Sequence, residues 1–326
     1  MAQAGHKQHV IGIDLGGTHI GGGIVDETGA VLAHVAEPTE AELGGGIVMQ
    51  KIIAVAQSLL GGLPEGVEQI AGIGVGTPGC VDPENGVVVS EAFNLPGWRG
   101  MALAGNLLEA TGVPAYADND VNVTALGETW FGAGRGVKDL LCITIGTGIG
   151  GGIVIGRKVH HGANFFAGEI GHTTVSLDGR PCLCGSIGCL EAYASAPAIA
   201  RAAQELGTRG LAPRIVEAAG NPHEITAKDV ASAAAAGDQA AIGIFLEVGR
   251  YLGAALANLV NVLNPEMIVI GGGVAQAGDV LFDPIRREIH RRALDVLTKH
   301  LQVLPAQLGE QAGLVGSAAL ALQHVV

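Results

Sequence analysis

Two stretches, VIGIDLGGTHIGGGIV at residues 10–25 and LCITIGTGIGGGIV at residues 141–154, are versions of one pattern. Each reads as an apolar strand, a Gly/Thr turn, an Ile-Gly-Gly-Gly step and a second strand. Recurrence in both halves of a chain predicts two related units. The length of 326 residues agrees, because a domain takes about 100–200 residues. Around the two copies the periodicity alternates between strand and helix. Helices are predicted over 44–61, where Ile47, Ile52, Val55 and Leu59 recur at helical spacing, and over 101–111 and 119–131. Further helices follow over 197–206, 211–219, 227–236, 238–262 and 282–298, with a terminal one from 313. Strands are predicted at 30–35, 70–76, 114–117 and 266–270 besides those of the repeat. The fold class is therefore α/β with mixed sheets. We expect an N-terminal domain over 1–119 and a larger C-terminal domain over 120–312, with helix 313–326 packing back on the first. The two glycine hairpins would flank a cleft.

Composition excludes several classes. Glycine accounts for 53 residues, more than double the usual share of about 7%, yet without the Gly-X-Y period of collagen. This much glycine implies many tight turns and close backbone approaches. Charged residues are 15% against an average of about 25%, which suggests that a partner subunit covers some surface, as in a homodimer or homotetramer. The net charge of −13 opposes binding to nucleic acid or anionic lipid. The N-terminal residues show no apolar signal segment, and the apolar run 140–156 is too short and glycine-rich to span a membrane. A soluble, cytoplasmic protein is expected.

Turns without side chains let backbone N–H groups reach phosphate oxygens. Asp14-Leu15-Gly16-Gly17-Thr18 adds a carboxylate suited to a hydrated Mg²⁺, and Gly146-Thr147-Gly148 forms a second cradle. Two GxGxxG matches, at Gly74 and at Gly146, fail as dinucleotide fingerprints: a turn follows the first and a strand the second, where a helix is required. No P-loop sequence is present.

Of five cysteines, three fall within eight residues, and His172, Cys182, Cys184 and Cys189 give H-x9-C-x-C-x4-C. Three thiolates and an imidazole make a closed tetrahedral zinc site of the structural kind. The metal would fold a loop, 172–189, too poor in apolar residues to fold alone. Cys80 and Cys142 sit in apolar contexts as buried fillers.

Asp120 follows Asn119 at a helix start, where the helix dipole favours an ionised carboxylate able to accept a hydroxyl proton. Glu169 lies three residues before His172 and Glu191 just after Cys189, so the metal loop pins both near one place. Such carboxylates suit the hydroxyls of a polyol, and Asn94 offers an amide beside them.

These residues, together with GVGTPG at 74–79, NLPGW at 94–98, DNDVNVTALGE at 118–128, GEIGHTTV at 168–175, CLCGSIGCLE at 182–191 and IVIGGGV at 268–274, resemble the ROK family of repressors and sugar kinases across nearly the whole chain. The resemblance is greatest to its bacterial ATP-dependent glucokinases. It implies the actin-like ATPase (ribonuclease H-like) fold and transfer of phosphate from Mg-ATP to the 6-hydroxyl of glucose, at the entry to glycolysis. By the same resemblance Asp120 is the catalytic base. Asn94, Asn119, Glu169, His172 and Glu191 bind sugar hydroxyls, with Thr77, Pro78 and Gly79 beside them. Gly16, Gly17, Thr18, Gly146, Thr147 and Gly148 meet phosphates, Gly271, Gly272 and Gly273 lie near the adenosine, and His172 serves zinc and sugar through one nitrogen each. One departure is visible: His19 stands where the family usually has lysine. The alternatives are kinases of N-acetylmannosamine, N-acetylglucosamine, fructose or mannose, or polyphosphate as donor. More remote are a sugar-responsive regulator, for which no helix-turn-helix precedes the first strand, and an NAD-dependent oxidoreductase.

Overall fold

A computed structural model of the chain describes residues 8–92 and 95–325. It divides into two compact units: residues up to 138 with 152–167 and 307–326, and residues 139–151 with 168–306.

The first unit opens with an antiparallel meander of His9–Leu15 (β1), His19–Asp26 (β2) and Val31–Pro38 (β3), followed by helix Gly45–Gly61 (α1). Then come Ile73–Thr77 (β4), the short pair Val81–Asp82 (β5) and Val87–Val88 (β6), helix Leu103–Thr111 (α2), Ala115–Asn119 (β7) and helix Asp120–Trp130 (α3). The main sheet has the order β3-β2-β1-β4-β7, with β4 parallel to both β1 and β7. Nearly every residue of β1 is buried, the mark of a strand covered on both faces. On one face α1 buries Val48, Ile52, Val55 and Leu59. The expected stripe included Ile47, which is exposed. Its place is taken by Val48, which keeps the helical spacing to Ile52 and Val55.

The other face is covered by the terminal helix Ala312–Val325, which packs on β1, β4 and α3. Its approach depends on two strand glycines. A Cβ on Gly74 would lie 1.8 Å from the Ser317 carbonyl oxygen, and one on Gly12 2.1 Å from that of Leu314. Neither neighbour can yield without moving the helix. Gly74→Ala should therefore lower Tm by about 2–12 °C, because overpacking costs about 1–3 kcal/mol and each kcal/mol shifts a domain of this size by about 2–4 °C. Thermal melting tests this, and an unchanged Tm would mean that the helix is not seated so closely.

The second sheet repeats the plan of the first. Leu140–Ile145 (β8), Ile149–Ile155 (β9) and Lys158–Val159 (β10) are joined by Met267–Gly271 (β11) and Gln302–Pro305 (β12) in the order β10-β9-β8-β11-β12. As in the first sheet, two parallel pairings, β8 with β11 and β11 with β12, lie on one side. The sequence repeat is thus a repeat of sheet order. Between the strands of this second sheet run helices Glu191–Ala194 (α4), Ala196–Thr208 (α5), Pro213–Ala219 (α6), Ala227–Ala235 (α7), Gln239–Leu263 (α8), Asp279–Arg292 (α9) and Asp295–Thr298 (α10), and the terminal helix is α11. Helix α8 is long and apolar enough to cross a bilayer, but over half of its apolar stretch is buried and it packs along α9. Phe245, Leu252, Leu256 and Val260 are among its buried residues. The single helix expected over 282–298 is two, because the chain turns extended at Ala293. Strand β12 escaped notice in the sequence because it is a four-residue edge strand ending in proline.

Candidate active site

In the first unit the parallel strands bring several candidate site residues to one edge. Pairing places Asp14 beside Gly76 and Gly76 beside Asp118, with Thr77 beside Asn119 one step further. Ligands of open α/β sheets lie outside the carboxyl ends of the strands, and this is that edge. The chain passes from β7 into α3 between Asn119 and Asp120. The Asn119 side-chain oxygen accepts from Val121 N–H at 2.9 Å and Asn122 N–H at 3.3 Å, which makes it the helix cap. Its amide donates to Gly79 O at 3.1 Å and so ties the helix start to the 77–79 turn. Thr77 is fully buried. Its hydroxyl oxygen accepts from Trp98 Nε1–H at 2.8 Å, so that it supports the Pro78-Gly79 turn from beneath.

Asp120 is the first residue of α3, and one carboxylate oxygen accepts from Val121 N–H at 2.9 Å. Withdrawal from water pushes its pKa up to about 6; the backbone hydrogen bond opposes that rise and the charge of Asp14 adds to it. Burial likewise raises Asp14 above the usual carboxylate range. Asp14 lies so close to α11 that a Cβ on Gly313 would meet its carboxylate.

Two residues not singled out in the sequence complete this edge. Asp118 is buried and accepts from Asn119 N–H at 2.7 Å and from the Asn122 amide at 2.9 Å, while its second oxygen lies 2.6 Å from His161 Nε2. Burial opposes charge on the imidazole, but the hydrogen bond and charge of Asp118 outweigh it and raise the His161 pKa. The repeated carboxylates of DND were a signal for Asp118. Nothing in the spacing links His161 to a strand 43 residues earlier.

The Gly16-Gly17-Thr18 turn closes with Gly16 N–H donating to His19 O at 3.0 Å, and the buried Thr39 hydroxyl donates to Gly16 O at 2.7 Å. Gly17, Thr18 and His19 are exposed. Asn94 lies outside the described residues.

In the second unit Glu169 precedes the single turn Ile170–His172. His172 Nδ1 is 3.7 Å from Cys182 Sγ, and its Nε2 is 3.8 Å from a Glu169 carboxylate oxygen, so the ring presents one nitrogen to the cysteines and the other to Glu169. Cys184 Sγ and Cys189 Sγ are also 3.7 Å apart, and all four ligand atoms lie within 4.8 Å of one another. A tetrahedral metal with bonds of about 2.3 Å to sulfur needs an S···S edge of about 3.8 Å, so the donor set and its spacing fit such an ion.

A cavity of about 650 Å³ in this unit is lined by Gly146 and Thr147 at one end and by Phe245, Gly273 and Val274 elsewhere. Of the expected adenosine glycines, Gly273 borders it. Gly271 ends β11, and Gly272, at φ +84°, packs on the backbone of Ile145. Lys228 and Ser232 of α7 and Gln276 also border the cavity; isolated polar residues on a surface helix carry no sequence signal of a pocket.

Two α/β sheets of matching order, with glycine turns and candidate site residues at their strand ends, define the actin-like ATPase fold. The ROK family pattern matches residues 10–324, and the chain belongs to that family. It is 42% identical to a glucokinase of Halalkalibacterium halodurans over 96% of this chain and 95% of that protein. A glucokinase of Thermotoga maritima is 36% identical over 98% of this chain and 99% of that one. A ROK family glucokinase from Streptomyces griseus, solved in complex with glucose and AMPPNP, matches with a TM-score of 0.81 at 38% identity, covering 97% of this chain and 99% of that one.

Proposed function

We propose that this chain phosphorylates the 6-hydroxyl of glucose with ATP, giving glucose 6-phosphate and ADP. The observation that carries the reading is the Asp120 carboxylate, fixed at the start of α3 with its pKa pushed up to about 6. A base poised near the working pH accepts a proton with the least penalty. In the reaction the sugar O6 attacks the γ-phosphorus, the O6–P bond forms as the bond to the ADP oxygen breaks, and the hydroxyl proton passes to Asp120. Phosphoryl transfer has a loose transition state, so that positioning and charge stabilisation supply most of the catalysis. Asn119, Glu169, His172 and Glu191 would orient the sugar, with Asn94 and the Pro78-Gly79 turn. The amides of Gly16–Thr18 and Gly146–Gly148 would meet phosphate oxygens. Mg²⁺ arriving with ATP would neutralise phosphate charge, with Asp14 the carboxylate available to it. His172, Cys182, Cys184 and Cys189 would hold a structural zinc.

The cavity favours a nucleotide over polyphosphate as donor. Polyphosphate is a run of charges, whereas Ala196, Ala231, Ala235, Phe245, Val274 and Ala277 offer an apolar lining that suits an adenine. Exposed apolar side chains, Leu177 and Leu183 on the metal loop foremost, support self-association as a homodimer or homotetramer.

The test is ADP release with Mg-ATP and a panel of glucose, mannose, fructose, N-acetylglucosamine and N-acetylmannosamine, repeated with polyphosphate as donor. Glucose with ATP should give the highest kcat/KM. Preference for an N-acetyl sugar would displace the acceptor, and turnover on polyphosphate alone would displace the donor. The same assay has a pH signature. Because Asp120 must be ionised to act, kcat/KM should fall about tenfold per pH unit below about pH 6, the value to which its pKa is pushed. A profile flat to pH 4.5 would remove Asp120 as the base.

A further inference from the structure

Glu191 does something in this structure that contact with a sugar does not require. It begins α4, and its Oε2 accepts from Ile149 N–H at 2.9 Å. Ile149 opens β9 immediately after the Gly146-Thr147-Gly148 loop. The loop's other end is held by the same segment, as Ala196 N–H donates to Gly146 O at 2.8 Å. Between these ties Gly146 N–H donates across the turn to Gly148 O at 2.9 Å. The carboxylate lies hard against the loop, since a Cβ on Gly148 would be 2.6 Å from Oε2. Residues 191–196 thus clamp both ends of a loop that lines the 650 Å³ cavity.

A glycine loop has little of its own to fix its shape and loses much backbone freedom on ordering. We propose that Glu191 is a positioning residue for the donor-phosphate loop, holding the 146–149 backbone in its phosphate-binding form through Oε2 and leaving Oε1 for a sugar hydroxyl. One side chain then serves both substrates. The inference rests on the reading above, in which this loop meets the phosphates and Glu191 meets the sugar. When the competent form of a loop is only fractionally populated, ligand affinity falls by that fraction, and it falls whether or not sugar is present.

The experiment is calorimetric binding of Mg-AMPPNP without sugar to the wild type and to Glu191→Ala, Glu191→Gln and Gly148→Ala. Glu191→Ala should weaken nucleotide binding about tenfold, the loss of about 1.4 kcal/mol. Glu191→Gln retains a carbonyl acceptor for Ile149 N–H and should bind within about twofold of wild type. Gly148→Ala keeps the glutamate but drives its carboxylate off the loop, and should resemble Glu191→Ala. Wild-type affinity in Glu191→Ala, with only glucose binding weakened, would overturn the proposal and leave Glu191 as a sugar ligand alone. Equal losses in the alanine and glutamine variants would also overturn it, because charge rather than the hydrogen bond would then be at work. If Glu191→Ala fails to fold, the other two variants carry the test. Failure of the wild type to bind nucleotide would instead overturn the donor reading beneath it.

Discussion

Asp120→Asn should lower kcat by about 10²–10⁴-fold, the usual contribution of a general base, while KM for glucose moves only a few-fold. Asparagine has nearly the same shape, and its side-chain oxygen can still accept from Val121 N–H as Asp120 does. The cap provided by Asn119, its tie to Gly79 and the Asp118 contacts remain in place. Only the capacity to take a proton is removed. The variant should also be more stable than wild type at neutral pH. With a folded-state pKa raised from 3.8 to about 6, the folded protein holds a proton that the unfolded chain has already released between those values. Wild-type stability therefore declines as pH rises through that window and stays reduced above it. The asparagine variant does not titrate, so the difference in Tm should be full above about pH 6 and should close toward pH 4. Steady-state kinetics and melting curves at four pH values test both halves. Near-normal kcat would sink the assignment, and a Tm difference independent of pH would sink the account of the carboxyl's environment.

How much of this could be read beforehand depended on whether function resides in the local chain or in its packing. The glycine hairpins, Asp120 behind its Asn119 cap and the Cys/His loop are local features, in which a turn, a helix start or a cysteine spacing marks the candidate. They are legible because their geometry is decided within a few residues. The repeat also pointed to the two-sheet plan, because strands buried on both faces read as short apolar runs bounded by glycine turns. Thr77 shows the limit of that kind of reading. The family resemblance sets it beside the sugar as an expectation, whereas its hydrogen bond from Trp98, 21 residues away, could be seen only in the fold. His161 meets Asp118 only because the sheet and a distant loop fold together, and the cavity is lined by α7, which on sequence is an ordinary amphipathic helix. Ile47 fell off the helix stripe for a related reason: one apolar position more or less satisfies the period, and only packing decides between Ile47 and Val48. The hydrogen bond from Ile149 N–H to Glu191 is of this non-local kind, the two residues lying 42 positions apart.

The metal loop offers the second large effect, and Cys184 is the residue with which to measure it. Cys189 is wholly buried, so replacing it would confound loss of a ligand with loss of packing, whereas Cys184 is exposed. Cys184→Ser removes a thiolate without opening a cavity in the core, because Cys184 is exposed. Loss of a supporting group one shell out commonly costs about 10–100-fold in metal affinity, and loss of a ligand should cost more. Purified Cys184→Ser should therefore contain well under one zinc per chain where the wild type holds one. Without the ion the loop keeps backbone hydrogen bonds such as Val175 N–H to Gly188 O and Gly188 N–H to Arg180 O, but its apolar side chains Leu177, Leu183 and Ile187 are exposed and add no packing at its tip. The loop should become cleavable by protease between residues 177 and 187. His172 then loses the partner that fixes its ring, and Nε2 is no longer aimed beside Glu169. KM for glucose should rise by about tenfold or more, while binding of Mg-AMPPNP without sugar changes far less, since the hydrogen bonds from Ile149 to Glu191 and from Ala196 to Gly146 lie outside the loop. Metal analysis, limited proteolysis and KM together decide it. Full zinc content with unchanged KM would show that Cys184 is not a ligand. Loss of zinc with unchanged KM would separate the metal from the sugar, and His172 would then have to be oriented by Glu169 alone.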